Sequence, residues 1–79
     1  MLSNKVEARL KLLDIKRKDF ADKLNIKNTS LNTKIQKNIW TLSDIVMLAN
    51  QTNSTLCLVD KDSKEIVLTI NEDDIVKLK

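Results

Sequence analysis

The chain has 79 residues and a formal net charge of +3, with one cysteine and no histidine, glycine or proline. A chain of this length predicts one small domain that buries only about 60% of its unfolded surface, so dimerisation would add useful stability. A single cysteine excludes an intramolecular disulfide and a multi-thiol metal site, and the lack of histidine removes the commonest metal ligand. No apolar run is long enough to span a bilayer or to serve as a signal peptide, so we expect a cytoplasmic protein without a membrane partner.

The same composition argues against an enzyme. Without histidine or glycine, and with Cys57 alone in an apolar run, the chain cannot assemble a nucleophile–base pair or a phosphate-cradling loop. The acidic pairs Asp60/Asp62 and Asp73/Asp74 are more simply interpreted as a loop and a helix N-terminus, because a calcium loop needs a glycine and a terminal glutamate. We therefore expect no catalytic residue, no cofactor and no bound metal.

The charges are distributed unequally along the chain. Residues 1–40 contain ten Lys/Arg against four Asp/Glu, a balance of +6, whereas residues 41–79 contain four against seven, a balance of −3. A basic first half suits a polyanionic partner, whose phosphates supply most non-specific affinity. The alternative is that these charges only solvate helix faces.

The first predicted helix begins near Asn4, where Glu7 would complete a capping box, and ends at about Asp14. Its buried stripe would consist of Val6, Leu10 and Leu13.

The second predicted helix runs from Lys16 or Arg17 to Leu24 and the third from about residue 28 to residue 36. Their apolar positions repeat at helical spacing, and the turn between them contains Asn25, which tolerates a left-handed conformation. In a chain without glycine, such positions must be taken by other residues. The apolar positions are Phe20, Ala21, Leu24, Leu31 and Ile35, and the left-handed candidates are Asp14, Asn25, Asn50 and Asn53.

The outer face of the third helix carries short hydrogen-bonding side chains, and no acidic residue interrupts the run from Ile26 to Trp40. Amides and hydroxyls can pair with base edges in the major groove of DNA. A solvated helix face that has no partner is the alternative. The side chains on this face are Asn28, Thr29, Ser30, Asn32, Thr33 and Lys34.

A fourth helix is predicted from Thr41, a strong N-cap with Asp44 at the third helical position, to about Asn53. Trp40, directly before it, is interpreted as a packing residue rather than a base-stacking one. The apolar stripe of this helix would contain Leu42, Ile45, Leu48 and Ala49.

Residues 55–60 and 65–70 predict two strands of a β-hairpin with a four-residue loop. Both faces of the hairpin are apolar. One face can cover the first and fourth helices, and the other face or the strand edge would bind a second subunit. Alternatively, a short C-terminal helix would cover the hairpin. Its N-cap would be Asn71, with Asp74 at the third position and with Ile75 and Leu78 facing inward. We favour the dimer, with an interface formed by Leu56, Cys57, Leu58, Val59, Ile66, Val67 and Leu68.

With these elements placed, residues 4–70 resemble the Cro/C1-type (XRE-like) helix-turn-helix proteins of bacteria, phages and plasmids. The stretch DIKRKDFADKLNIKNTSLNTKIQKNIWTLSDI follows a family theme: an Ile-Ser-Gln lead, a Leu-Ala pair, Leu-Gly-Ile at the turn, and a polar helix with a central leucine. The tail VDKDSKEIVL is similar to the hairpin loop of the small members. The resemblance implies a mainly α fold, a four-helix lambda-repressor-like domain followed by a C-terminal β-hairpin.

The chain departs from that theme at several positions. Lys16 and Lys27 replace the serine caps of the family, which should weaken each helix start by about 1 kcal/mol. Arg17 replaces a glutamine that touches phosphate, and it can do so more strongly. Asn25 replaces the turn glycine, and Lys34 stands where many members have an apolar residue, which leaves the rotation of the third helix open.

The resemblance implies a sequence-specific double-stranded DNA-binding protein, a homodimeric transcriptional repressor that reads the major groove with helix 28–36. Residues 1–53 would form the DNA-binding domain, with its reader at 17–36, and residues 54–79 the dimerisation element. The alternative is a protein-interaction module on the same fold, an antitoxin or anti-defence factor of a mobile element, that binds a protein through the hairpin. The implied base-reading residues are Asn28, Thr29, Asn32 and Thr33, and the implied phosphate-binding residues are Lys16, Arg17, Lys27, Lys34, Gln36, Lys37 and Asn38.

Overall fold

The computed structural model describes residues 1–75 and has a mainly α fold that ends in a two-stranded antiparallel hairpin, as predicted. None of the helices in this part of the chain has the length and apolar character needed to cross a membrane. The elements are α1 (Leu2–Leu12), α2 (Arg17–Leu24), α3 (Asn28–Lys37), α4 (Leu42–Gln51), β1 (Leu56–Val59), β2 (Ile66–Ile70) and a 3-10 turn (Glu72–Asp74).

The core is formed where α1, α2 and α3 meet. The predicted apolar stripes of α2 and α3 point inward, and Ile15, Leu24, Ile26, Trp40, Ile45 and Leu48 pack around the edge of the same cluster. Burying these side chains is the main favourable contribution to the stability of so small a domain. The buried members are Val6, Leu10, Phe20, Ala21, Leu31 and Ile35.

The predicted start of α1 is wrong. The helix begins at Leu2, and Asn4 is helical, with its backbone N–H donating to the carbonyl of Met1. The capping box of Asn4 and Glu7 is therefore not formed. An interaction distant in sequence replaces it, because the N–H of Ser3 donates to Oδ1 of Asn38 at 2.9 Å.

The predicted stripe of α1 is also wrong at its last position. The helix ends at Leu12, and Leu13 is 42% exposed. The chain reverses at Asp14, whose φ is 56°, and the N–H of Ile15 donates back to the carbonyl of Leu10. The reversal brings Ile15 rather than Leu13 against the core.

Left-handed residues replace glycine at the turns. The predictions for Asp14, Asn25 and Asn53 are confirmed, with φ between 52° and 59°. Asn50 lies within α4 and is not left-handed. Asn38 and Lys64 also have positive φ and were not predicted.

The capping box of α4 is confirmed. The N–H of Asp44 donates to Oγ1 of Thr41 at 3.1 Å, and the N–H of Thr41 donates to Oδ2 of Asp44 at 3.0 Å. The prediction for Leu42 is wrong, because its side chain is exposed while Val46 is buried. Asp44 faces α3, and Leu42 lies about 200° around the helix from it and so faces away. The helix ends at Gln51, two residues earlier than expected.

The hairpin stands partly free of the helices. Leu56 pairs with Ile70 and Leu58 with Leu68, and a bulge follows before the pair Val59–Ile66. Helix α4 packs against β1 and the 3-10 turn. Only the ends of the strands nearest the helices are half-buried, so the expectation that one face of the hairpin covers α1 and α4 is met only in part, where β1 packs against α4.

The segment after the hairpin begins as predicted. The N–H of Asn71 donates to Oδ2 of Asp74 at 2.8 Å, and the two residues form a capping box on the 3-10 turn. Ile75 is half-buried. The predicted inward position of Leu78 lies outside the described residues.

Candidate nucleic-acid interface

The pair of helices α2 and α3 is held by a tight turn at Asn25. Its φ and ψ are 59° and 43°, and the N–H groups of Asn25 and Ile26 donate to the carbonyls of Asp22 and Ala21. Such bonds satisfy the last carbonyls of a helix that ends in a left-handed residue. Ala21 is fully buried next to Phe20, and its small side chain allows the two helices to approach closely.

The structure brings the four predicted base-reading residues onto one side of α3. Asn28, Thr29 and Thr33 are exposed and Asn32 is half-buried, while Leu31 and Ile35 are the buried residues of the helix. The hydroxyl of Thr33 donates to the carbonyl of Thr29 at 3.1 Å, which leaves the Oγ1 lone pairs of Thr33 as acceptors.

Arg17 links three helices through its guanidinium group. Its Nη2 donates to Oε1 of Glu7 on α1 at 2.7 Å, and its Nη1 donates to Oδ1 of Asn32 on α3 at 3.1 Å. The side chains of Arg17 and Glu7 are 48% and 39% exposed, so the ion pair contributes little to stability. The two bonds of Arg17 connect the first residue of α2 to Asn32 on α3 and to Glu7 on α1.

Lys34, one of the implied phosphate-binding residues, forms an ion pair within the protein. Its Nζ lies 2.8 Å from Oδ2 of Asp44, and both side chains are mostly shielded from solvent. The same carboxylate oxygen accepts the N–H of Thr41, so the partner of Lys34 is itself fixed by the cap of α4. The buried side of α3, which the sequence had left open, is formed by Leu31 and Ile35, and the Lys34–Asp44 pair joins this helix to α4.

Asn38 ends α3 and also caps the start of α1. Its Oδ1 accepts hydrogen bonds from the N–H and the hydroxyl of Ser3, at 2.9 and 3.1 Å. Trp40 donates its indole N–H to Oγ of Ser3 at 3.0 Å and packs on the core, as expected for a packing residue. The side-chain oxygen Oδ1 of Asn38 is therefore bonded to Ser3, and within this side chain only Nδ2 could donate to a phosphate.

The remaining predicted phosphate-binding residues are exposed around the two ends of α3 and the start of α2. Lys16 and Lys27 are the N-caps of α2 and α3, and neither helix has a side-chain cap. The N–H groups of the first helical turns are thus not occupied by cap side chains, and such groups favour anions. Gln36 and Lys37 lie exposed at the C-terminal end of α3.

Sequence reasoning missed two contacts of this surface. Glu7 bonds to Arg17 on α2, and Asn38 bonds to Ser3 on α1. No local spacing in the sequence predicts either pair. A signal for Asn38 did exist, because asparagine is the residue that sometimes replaces glycine at the left-handed end of a helix.

The hairpin carries the second exposed surface of interest. Among the seven predicted interface residues, Leu56 and Cys57 are half-buried, and the other five are between 45% and 64% exposed. Exposed apolar side chains concentrated on a short hairpin are typical of a contact surface.

Comparisons of the chain with protein-family models, curated proteins and solved structures gave no match.

Proposed function

We propose that this protein is a helix-turn-helix protein of the lambda-repressor type, which binds double-stranded DNA in a sequence-specific manner and represses transcription as a homodimer. Helix α3 enters the major groove and α2 crosses the phosphate backbone. Residues 1–53 supply the DNA-binding unit, and the hairpin supplies the contact between two subunits.

The proposal rests most on the outer face of α3. Amide and hydroxyl side chains lie side by side there, and the run from residue 26 to residue 40 contains no acid. The nearby carboxylates of Glu7 and Asp44 are already paired with Arg17 and Lys34. A phosphate backbone would therefore meet this surface without an unpaired negative charge from either of them.

The cations next to this face suit contacts that position the protein on DNA. Lys16 and Lys27 lie at the two helix starts, and Lys37 lies at the end of α3. Contacts to phosphate set the register of the protein, whereas contacts to base edges discriminate sequences. Two subunits joined through their hairpins would read half-sites about 34 Å apart.

The direct test is selection of binding sites from random duplex DNA, with the size of the bound species measured by light scattering. We expect a palindrome with half-sites one helical turn apart, bound by a dimer. Asn32→Ala should change the preferred base at one position of each half-site. Lys37→Ala should weaken binding to all sequences alike and reduce the slope of log K against log salt by about 1. An unchanged motif in Asn32→Ala would contradict the assigned reading face.

A second candidate function is favoured by the exposed apolar hairpin. On this hypothesis the fold binds another protein, as an antitoxin or an anti-defence factor of a mobile element does, and DNA is not its main partner. Salt separates the two functions, because phosphate-dominated binding falls steeply with salt and apolar binding does not. Recovery of no motif, with weak binding to all duplexes, would favour this second function.

A further inference from the structure

Arg17 holds the amide of Asn32 in one orientation. Its Nη1 donates to Oδ1 of Asn32, while its Nη2 is anchored by the carboxylate of Glu7. An asparagine amide has one face that accepts and one that donates. Because the accepting oxygen is turned toward a cation on α2, the Nδ2 group of Asn32 points its two donors elsewhere. Within residues 1–75 these donors have no hydrogen-bond partner.

This orientation decides which base edge Asn32 can read. The usual pairing of asparagine with adenine is bidentate: Oδ1 accepts from N6 of the base, and Nδ2 donates to N7. The bond from Arg17 occupies one of the two lone pairs of Oδ1 and turns the oxygen toward α2, which disfavours the bidentate contact with adenine and leaves the Nδ2 donors as the unengaged part of the amide. Guanine presents two acceptors, O6 and N7, and no donor at its major-groove edge.

We propose that Arg17 is a positioning residue that makes Asn32 select guanine rather than adenine at one position of each half-site. The inference rests on the proposed DNA-binding function and adds the chemistry of one base contact to it. Glu7 acts behind Arg17, since its carboxylate fixes the guanidinium between α1 and α3. Arg17→Lys retains the charge for a phosphate contact but removes the planar fork that reaches both partners.

The test is selection of binding sites from random duplex DNA with the wild-type protein, three variants of this contact and one control variant. Wild type should prefer guanine at the position where Asn32→Ala loses its preference. Arg17→Lys should change that preference toward adenine, by about tenfold in the guanine-to-adenine ratio, and leave the other positions of the motif as they are. Glu7→Ala, which removes no DNA contact, should change the preference in the same direction by a smaller factor.

Arg9→Lys is the matched control, because Arg9 is the other arginine of the chain. Its Nη2 donates to the carbonyl of Thr52 and the hydroxyl of Ser54, away from α3. This variant should keep the wild-type motif. Thermal unfolding followed by Trp40 fluorescence should give similar midpoints for wild type, Arg17→Lys and Arg9→Lys, which separates altered recognition from unfolding.

Three results would overturn the inference. Adenine preferred by wild type at the Asn32 position would contradict the fixed amide. A guanine preference that survives Asn32→Ala would show that another residue, such as Arg17 itself, reads the base. A motif that is the same in wild type and Arg17→Lys would show that Arg17 does not orient Asn32. In each of these cases a motif is still recovered, whereas recovery of no motif by wild type would overturn the proposed function together with this inference.

Discussion

Lys34 and Asp44 join α3 to α4 through a contact of 2.8 Å between Nζ and Oδ2. The exposed fractions of the two side chains are 21% and 11%, so the pair is largely removed from solvent. The carboxylate also completes the capping box with Thr41. A single acidic side chain thus caps one helix and pairs with a cation of another.

Replacement of Lys34 by methionine should destabilise the protein by about 1–3 kcal/mol, because Asp44 would be left shielded from water without its cation. Urea unfolding followed by the fluorescence of Trp40, the sole tryptophan, measures this change. Lys18→Met is the matched control, since Lys18 is exposed on α2. Equal free energies of unfolding for the two variants would contradict the importance of the pair.

Asn38→Gly should destabilise the protein by about 1–3 kcal/mol, although glycine readily adopts the left-handed conformation at this position. The loss arises because the buried N–H of Ser3 would no longer find the Oδ1 acceptor. Asn25→Gly is the comparison, since Asn25 has the same backbone conformation at the end of α2. Its free energy of unfolding should differ from wild type by less than about 1 kcal/mol. Similar losses in both variants would mean that the bond to Ser3 contributes nothing measurable.

The predictions that succeeded depend on local patterns. The stripes of α2 and α3 and the capping box of Thr41 and Asp44 each involve residues within one or two helical turns. Backbone geometry alone brings such residues together. The hairpin was predicted for the same reason, because alternation and turn chemistry act over a few residues.

The predictions that failed involve partners distant in sequence. Helix α1 begins at Leu2, and the N–H of Ser3 in its first turn donates to Oδ1 of Asn38, which lies 35 residues later in the chain. The ion pair between Lys34 on α3 and Asp44 on α4 was likewise not predicted. Neither pairing has a spacing rule, so tertiary packing overrides the local expectation.

The hairpin loop should show a dependence on pH that originates at Asp60. The N–H groups of Ser63 and Asp62 donate to its Oδ1 at 3.0 and 2.9 Å and lower the pKa of this carboxyl below its ordinary value of 3.8. Because the pKa of Asp60 is lower in the folded protein than in the unfolded chain, the ionised carboxylate stabilises the folded state above pH 3.8. This stabilisation is lost as the pH falls through the folded pKa. The carboxyl carbon of Asp60, followed by NMR, should therefore titrate at lower pH in the folded protein than in urea. Identical titration in the two states would contradict the role of these bonds.

Ile66→Lys should convert a dimer into a monomer. Ile66 is 64% exposed and follows the loop on β2, where it pairs with Val59 beside the bulge. A lysine in an apolar contact between two hairpins would have to lose its hydration without a partner, which disfavours association. Light scattering measures the oligomeric state, and binding to the selected palindrome should weaken because each subunit would then bind its half-site alone.

Leu12→Lys is the matched control for this change. Leu12 is 72% exposed on α1, so the substitution adds the same charge at an equally open apolar position outside the hairpin. It should leave the dimer intact. If Ile66→Lys remained a dimer, the two subunits would have to meet elsewhere. If the wild-type protein were monomeric at all concentrations, the apolar hairpin would instead be a surface for a different protein, in line with the second candidate function.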